Sequence, residues 1–440
     1  MPRRLLILVI GSFLLVATGD FVGAGPGTDA SKNIDRLAQV PIEIGKNERA
    51  AGSDLAFQGD LLVAGAFEGI GLYRMLDRAP YLKQLSFYPC PASQNDVSIW
   101  GDLMFASIDS TGSNSANNAV CNNTDKSREK EGVRIVDISN PRHPRQVRFV
   151  ETDCGSHTHV ILPGGKKTIY IYVGSYPLSG QGPTCNAVSH RKVSVIKVPL
   201  DSPKKARVVA TPSVTTTIGC HDFAFLPKKS LAAVACISEG QIWDVSNPVK
   251  PKILSRIYQP EINIWHSGGF TWDGRYAVFG DEQAGSTWGA CPGHESSTTG
   301  ALWFYDVGDP RDPKLKSHWA LPRPAPAPDS PDEASYFRCT AHNYNVLPMR
   351  DPKRYVVASS FRGGGTSIVD FSKPGNPKEL AHFMDLEPVP DTWSTYWYNG
   401  RLYANDNDSK TGIGVFKVDG LDKRKVRYFK TRLNPQLHDL

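Results

Sequence analysis

The chain has 440 residues, of which 40% are hydrophobic and 21% charged, as in folded rather than disordered proteins. Its formal net charge of +6 is small for this length, and no long run of lysine and arginine occurs. Nucleic acid is therefore not expected as the main partner.

The first segment of the chain has the order of a secretory signal peptide. Met1–Arg4 carries two arginines, Leu5–Ala17 is apolar, and Val22-Gly23-Ala24 resembles a cleavage site. The apolar run is shorter than a membrane span. We therefore predict a signal peptide over residues 1–24 and a secreted, periplasmic or extracellular protein without stable membrane insertion. A retained anchor is the alternative.

A strand-and-turn motif recurs along the rest of the chain. Each copy is an alternating strand that ends in or near Asp, followed by a turn that usually contains proline. The clear copies are Gly132–Pro144 (GVRIVDISNPRHP), Gly240–Pro251, Ala301–Pro313 and Thr366–Pro377, and the weaker ones are Ile70–Pro80, Val193–Pro203 and Gly412–Asp422. Two strands precede each copy and one follows it. Seven units of four antiparallel strands predict an all-β, seven-bladed β-propeller over residues 51–430.

These repeat strands resemble those of the LVIVD-repeat family, bacterial β-propeller proteins named after that strand. The resemblance covers roughly residues 50–430 and implies the fold, but most of that family has no assigned activity. The segment at residues 25–50 precedes the repeats. Within it, Asp35–Ile44 is a candidate for an outer strand that closes the ring.

Aligning the seven units by their first strands places histidine at one position in four consecutive units. The stretches SHTHVILP, CHDFAFLP, WHSGGFTWDG and AHNYNVLP supply His157, His221, His266 and His342. The other three units have Ser53, Asn95 and Trp393 at this position. Only 11 of the 440 residues are histidine, so four at one register are not expected by chance.

The first strands of a propeller line its channel, so these four side chains are expected to converge on the channel mouth. Imidazole is a ligand of Fe, Cu, Zn and Ni, and the set predicts a transition-metal site, with Fe or Cu favoured and Zn or Ni compatible. The remaining units leave an open sector, as a catalytic metal requires. His159, two residues beyond His157, is an alternative ligand or a partner of the ligand. For any single histidine, hydrogen bonding to buried groups is the alternative role.

Other side chains near the predicted mouth are candidates for catalysis or substrate binding. Four carboxylates can orient imidazole N–H groups or transfer protons: Asp222, Glu239, Asp281 and Glu282. Four further residues are candidates for contact with a small organic substrate: Asn95, Tyr344, Arg362 and Trp393. Arg362 suits a substrate carboxylate, and the aromatic residues suit an apolar or aromatic molecule.

Insertions and cysteines concentrate at the same predicted face. The insertions are Thr111–Glu131, Tyr176–Arg191, Ala284–Gly300 and Pro322–Arg338, and long loops over a channel mouth often bind ligands or act as lids. The expected disulfides are Cys220–Cys236, Cys121–Cys185, Cys291–Cys339 and Cys90–Cys154, although sequence alone cannot fix the connectivity. The remaining histidines are expected at the surface: His143, His190, His294, His318, His382 and His438.

The first hypothesis for function is an exported metal-dependent oxidoreductase that acts on a small organic molecule at the channel mouth. At fold level the histidine set is similar to that of the carotenoid-cleaving oxygenases, propellers that hold iron with four histidines, although their sequence motifs are absent. One alternative is a non-enzymatic propeller whose loop face binds a protein partner or the cell surface. Another is a structural or storage metal site without turnover.

Overall fold

The computed structural model describes residues 27–109, 131–177, 185, 190–282, 297–323, 339–386 and 391–440. The predicted signal peptide lies outside the described residues, as do most residues of the four predicted insertions. Within the described residues the chain is almost entirely β, and its helical segments are two 3-10 turns, Pro203–Lys205 and Pro227–Lys229. The predicted all-β class is therefore confirmed.

Strands follow one another in the order that the repeats predict. Four strands precede the first unit: β1 (Thr28–Ala30), β2 (Ile34–Val40), β3 (Ile42–Gly45) and β4 (Glu48–Ala50). The next two groups are β5 (Gly52–Gln58), β6 (Leu61–Ala66), β7 (Gly69–Met75) and β8 (Leu82–Pro89), and then β9 (Val97–Trp100), β10 (Leu103–Ile108), β11 (Gly132–Asp137) and β12 (Arg145–Glu151).

The middle of the chain continues the same pattern over three more groups. They are β13 (Thr158–Pro163), β14 (Thr168–Gly174), β15 (Ser194–Pro199) and β16 (Arg207–Ala210); β17 (Asp222–Leu226), β18 (Leu231–Cys236), β19 (Glu239–Asp244) and β20 (Lys252–Ile257); and β21 (Trp265–Phe270), β22 (Tyr276–Asp281), β23 (Leu302–Asp306) and β24 (Lys314–Trp319).

The last strands complete the ring. They are β25 (Thr340–Val346), β26 (Val356–Arg362), β27 (Gly365–Asp370) and β28 (Lys378–Asp385), then β29 (Thr392–Tyr398), β30 (Arg401–Asp406) and β31 (Ile413–Val418), and finally β32 (Arg432–Leu433). Within each group, consecutive strands pair antiparallel. The predicted antiparallel units are therefore confirmed.

The first strands of the groups surround a central channel. Contacts run in turn from β5 to β9, β13, β17, β21, β25 and β29, and β29 contacts β5 again. Neighbouring sheets pack through the side chains on both faces of their strands: Ala233 and Ile242 join one core cluster with Phe279 and Trp303 of the next group. Strand β18 is buried on both faces, and its sequence, LAAVAC, is therefore continuously apolar and not alternating.

Both ends of the described part of the chain pair with strands of this ring. Strand β2 pairs antiparallel with β31 and takes the fourth, outer position of the last group, while β1 pairs with β28. At the other end, β32 pairs with the end of β5. The sequence from Asp35 to Ile44 thus contributes to β2 and β3, of which β2 is the outer strand of the last group.

The C-terminal segment lies across the end of the channel that is remote from the four histidines. The Asn434 side chain donates to the Ile99 carbonyl and accepts from the Ile99 N–H, both at 2.9 Å. The backbone of Phe225 exchanges hydrogen bonds with Gln436 and His438, also at 2.9 Å. Ile99 and Phe225 lie on first strands of different groups, so this segment ties several sheets together.

The predicted surface positions of His190 and His438 are wrong, because both side chains are buried, at 1% and 2% exposure. His438 packs on Phe270 and Trp272, with ring centroids 6.3 and 4.9 Å away. Burial lowers the pKa of His438 to about 4.

The titration of His438 predicts a loss of stability in acid. An unfolded histidine takes up its proton near pH 6.5, whereas folded His438 takes it up only near pH 4, so stability falls as the pH drops through this window. We expect His438 to account for a loss of about 2–3 kcal/mol in the free energy of unfolding between pH 7 and pH 4.5. Urea unfolding of the wild type and of His438→Phe at both pH values measures it. Equal losses of unfolding free energy in the wild type and in His438→Phe would show that His438 does not cause the acid destabilisation.

The disulfides agree only partly with the expected pairs. Cys220–Cys236, which joins the start of β17 to the end of β18, is confirmed. Cys154 pairs with Cys185, which corrects the predicted Cys90–Cys154 and Cys121–Cys185 bridges. Both cysteines of the observed pair belong to one repeat unit, so the bridge closes locally instead of joining neighbouring units. The predicted Cys291–Cys339 bridge involves Cys291, which lies outside the described residues.

The cysteine chemistry is typical of an oxidising compartment. Cys90 and Cys339 are disulfide-bonded as well, and no described cysteine is free. Disulfides of this kind persist in secreted and extracellular proteins and are rare where thiols are kept reduced. Among the described residues, no helix is long and apolar enough to cross a membrane.

Candidate metal centre

Four histidines begin the first strands of four consecutive groups. His157 and His221 come directly before β13 and β17, and His266 and His342 lie within β21 and β25. The pairing of β21 shifts register beside His266, and that of β25 shifts beside His342. Such bulges redirect a side chain relative to the regular pleat. All four imidazoles lie at the same end of the channel.

The four rings form a continuous row, which we call the histidine row (His157, His221, His266 and His342). Ring centroids are 4.6 Å apart for His157 and His221, 3.9 Å for His221 and His266, and 4.2 Å for His266 and His342. Trp393 ends the row at 4.6 Å from His342. The structure thus brings together all four side chains that the sequence register singled out.

Three imidazoles of the row are deeply buried and neutral at neutral pH. Burial is the main cause that lowers the pKa of His221, His266 and His342 well below the ordinary value, and neighbouring imidazoles or the Arg362 guanidinium lower it further. A neutral imidazole offers a lone pair to a metal ion, which a protonated one does not.

Hydrogen bonds orient the two outer rings of the row. His157 Nδ1 contacts the Asp109 carboxylate, and His342 Nδ1 donates to the Trp393 carbonyl at 2.6 Å. When Nδ1 is the donor, Nε2 carries the lone pair. A carboxylate or carbonyl acceptor on the far nitrogen is the usual arrangement behind a metal-ligating histidine.

The two central rings have ring nitrogens without hydrogen bonds. Both nitrogens of His221 and Nδ1 of His266 are buried and form no hydrogen bond of regular geometry among the described residues. Buried polar atoms are nearly always paired in native proteins. An ion binds one nitrogen of each ring, so this donor set fits a metal ion that would take one nitrogen of His221 and one of His266.

Glu282 is the carboxylate that reaches the row. It follows β22, and its Oε2 lies 3.6 Å from His266 Nε2 while its Oε1 lies 3.8 Å from His342 Nε2. Candidate ligand atoms of His221, His266 and Glu282 all lie within 4.8 Å of one another. One carboxylate of the four predicted candidates is thus placed to bind a metal or move a proton there.

The other three predicted carboxylates are held elsewhere. Asp281 accepts the backbone N–H groups of Asn263, Ile264 and Gly300, and burial raises its pKa to about 6. Glu239 accepts from Thr216, Gln241 and Arg256 on its own group. Asp222 is buried beside Phe223 N–H, and burial raises its pKa well above the ordinary value. None of these described contacts reaches the histidine row.

His159 takes a different role from the row. Its Nε2 contacts Ser98 Oγ at 2.7 Å, and its Nδ1 contacts Ser107 Oγ at 2.7 Å and Asp96 Oδ2 at 2.9 Å. Both ring nitrogens are therefore in use within the channel wall. Of these two histidines, His157 belongs to the row and His159 does not.

Of the four predicted substrate contacts, Trp393 lies beside the row and the others are engaged in the fold. Asn95 donates to two backbone carbonyls at 2.8 Å, and Tyr344 OH donates to the Val278 carbonyl at 2.8 Å. The Arg362 guanidinium lies between Asp391 and Glu282.

Tyr176 is a second aromatic neighbour of the row, at the start of an insertion predicted at this face. It lies on the other side of the row from Trp393, with ring centroids 5.1 Å from His157 and 5.5 Å from His221. It follows the second strand of its unit, where the predicted insertion Tyr176–Arg191 begins, so the sequence predicts it at this face without predicting its contact with the row. The row is therefore bounded by an aromatic side chain at each end.

A second group of metal-binding residue types lies beside the Cys154–Cys185 disulfide. It consists of Asp153, Cys154 and His190. Because the Cys154 sulfur is in a disulfide, it offers no thiolate to an ion. The histidine row is therefore the stronger candidate.

Comparisons with known proteins agree with the fold. The family model described as LVIVD repeat matches residues 129–152. No curated protein sequence matches the chain.

Solved structures with the same architecture have low sequence identity. A hydrazine synthase chain from Kuenenia stuttgartiensis aligns with a TM-score of 0.54 and 10% identity, over 82% of this chain and 93% of that one. The β-propeller domain of Myceliophteria thermophila Cps50 (Swd1) aligns at 0.51 and 8%, over 86% and 100%. A putative 6-phosphogluconolactonase from Bacteroides uniformis aligns at 0.50 and 12%, over 83% and 92%. At such identities the likeness shows a β-propeller fold and nothing about activity.

Proposed function

We propose that this LVIVD-repeat β-propeller is an exported, seven-bladed metalloprotein that binds a transition-metal ion on its histidine row and acts as an oxidoreductase on a small organic molecule. The seven strand groups whose first strands contact one another in a closed circuit support the blade number. The disulfides and the signal-like N-terminus support export.

One observation supports the proposal: four neighbouring imidazoles form a row at the channel mouth, and ligand atoms of the two central ones lie within 4.8 Å of each other and of Glu282. The two outer rings are oriented by acceptors on Nδ1, and the two central rings have nitrogens without hydrogen-bond partners among the described residues. A structural histidine would be expected to use both nitrogens, as His159 does. The imidazoles of the row, in contrast, do not have both ring nitrogens in hydrogen bonds.

The surroundings of the row support a reactive site more than a closed structural one. The row spans four groups, and the remaining groups contribute Ser53, Asn95 and Trp393 at the same register. When the protein supplies fewer ligands than a metal ion can accept, a coordination position stays open for substrate. A bound Fe or Cu ion would supply redox chemistry there, with Zn or Ni also compatible with imidazole ligands. Tyr176 and Trp393 would flank an apolar or aromatic substrate.

Metal titration tests the proposal. Chelator-treated protein is titrated with Fe(II), Cu(I), Zn(II) and Ni(II) without oxygen in a calorimeter, and we expect one tightly bound equivalent of at least one of them. Oxygen uptake by the loaded protein is then measured with small aromatic and apolar reductants. Absence of binding would overturn the proposal and leave the binding-module alternative. Binding without turnover on any reductant would overturn the oxidoreductase part alone.

A further inference from the structure

We infer that Glu282 is an anionic ligand of the ion on the histidine row, and that Arg362, held by Asp391, positions it. This inference rests on the proposed function and adds to it a carboxylate ligand and a preference among metals.

The distances around Glu282 fit an ion better than a hydrogen bond. Its two oxygens lie 3.6 and 3.8 Å from Nε2 of His266 and His342. Hydrogen bonds of this type are about 2.7–3.2 Å long, so these contacts are too long for them. Two donors that each lie about 2.0–2.2 Å from one ion are separated by at most about 4.4 Å. The spacing is therefore that of atoms on either side of an ion.

Arg362 holds Glu282 in this place and is itself fixed. Its Nε and Nη2 donate to the two carboxylate oxygens of Asp391, both at 2.7 Å, which leaves Nη1 for Glu282 Oε1 at 3.4 Å. The guanidinium also lies over the Trp393 ring, 4.8 Å from its centroid. The side chains of Arg362, Glu282 and Asp391 are only 10–13% exposed. A bidentate ion pair of this kind fixes the guanidinium in position and orientation.

This arrangement changes the expected role of Arg362. A guanidinium already facing two carboxylates has little to offer a substrate carboxylate, so Arg362 acts through Glu282 and is a positioning residue. We expect the substrate to be held by Tyr176 and Trp393, which flank the row.

A carboxylate ligand also bears on which metal is bound. An imidazole that binds a metal through its lone pair carries no charge, so Glu282 would supply the negative charge that a divalent ion needs in a buried site. Mixed imidazole and carboxylate ligands suit Fe(II), whereas Cu(I) is favoured by softer ligands and needs no anion. The ligand set therefore favours Fe(II) over Cu(I).

The test compares Glu282→Gln and Asp391→Asn with a matched control. Glu379→Gln is the control, because Glu379 forms a similar buried pair with Arg323, at 2.8 and 2.9 Å and 10–13% exposure, on an outer strand. Fe(II) and Cu(I) dissociation constants are measured without oxygen by competition with chromophoric chelators, and melting temperatures report the fold. Glu282→Asp keeps the carboxylate and serves as the rescue variant.

We expect Glu282→Gln and Asp391→Asn each to weaken Fe(II) binding by about 10- to 100-fold, with a smaller effect on Cu(I). Glu379→Gln should retain wild-type affinity for both ions, and Glu282→Asp should recover part of the Fe(II) affinity. If Glu282 only supported the fold, the ratio of the Fe(II) and Cu(I) dissociation constants would not change.

The possible failures can be told apart. Wild-type Fe(II) affinity in Glu282→Gln would overturn the inference and leave an imidazole-only site. A loss in Glu282→Gln without one in Asp391→Asn would overturn the positioning role of Arg362 and Asp391. A wild-type protein that binds none of Fe(II), Cu(I), Zn(II) and Ni(II) would overturn the proposed function itself, whereas one that binds Zn(II) or Ni(II) but not Fe(II) would overturn the preference for Fe(II).

Discussion

Replacing His221 or His266 by alanine is expected to weaken Fe(II) binding by at least about 100-fold, since loss of an outer-shell partner alone costs about 10- to 100-fold. Both rings lie at the centre of the row and have nitrogens without hydrogen-bond partners among the described residues. His342→Ala should have a similar effect, because its Nε2 faces Glu282. Competition titration with a chromophoric chelator measures each constant.

Replacing His221 by a large apolar residue should weaken metal binding but stabilise the metal-free protein. His221 is 2% exposed and both its ring nitrogens are unpaired among the described residues, and an unpaired buried polar group costs about 1–3 kcal/mol. We therefore expect His221→Leu to raise the melting temperature of the metal-free protein while it abolishes binding. If His221 only supported the fold, His221→Leu would lower the melting temperature of the metal-free protein.

His318 offers a control outside the row. It lies on β24, an outer strand, and its ring contacts Trp303 at 4.8 Å. His318→Ala should leave metal affinity at the wild-type value. If His221→Ala and His266→Ala also retain it, the row does not bind the ion and the structural alternative for these histidines holds.

Removal of residues 432–440 is expected to lower the free energy of unfolding by several kcal/mol. Leu433 and Leu437 are each 2% exposed, and burial of one such side chain is worth about 1.5–3 kcal/mol. The truncation also removes β32 from the end of β5 and the Asn434 hydrogen bonds to Ile99. Urea denaturation measures the change.

Two point variants show whether the effect comes from these contacts. Leu437→Ala should cost about 2–5 kcal/mol, as for other buried leucines. Tyr258→Ala, at a side chain that is 76% exposed, should cost little. A truncated protein as stable as the full chain would contradict a structural role of the C-terminal segment.

The sequence predicted the parts of the molecule that repeat. The strand-and-turn motif sets the order of the strands. Aligning the units by their first strands puts His157, His221, His266 and His342 at one position without a structure. Their convergence follows from the circular order of the first strands.

The features that the sequence left open lie outside the repeat. Residues 432–440 follow the last repeat strand, and short segments carry little periodicity. The Cys154–Cys185 pair was not predictable, because spacing does not determine connectivity. Asp281 and Glu282 are adjacent, and alternation implies only that they face opposite sides. The structure decides that Glu282 faces the row and Asp281 the backbone of its own group.

Anomalous diffraction from Fe(II)-loaded crystals shows whether the ion lies on the histidine row. Data collected on both sides of the iron absorption edge locate the ion independently of the protein coordinates. We expect one strong peak between His221, His266 and Glu282, with ligand atoms about 2.0–2.2 Å from it. A peak elsewhere on the molecule, or none in protein loaded to saturation, would contradict a metal site on the histidine row.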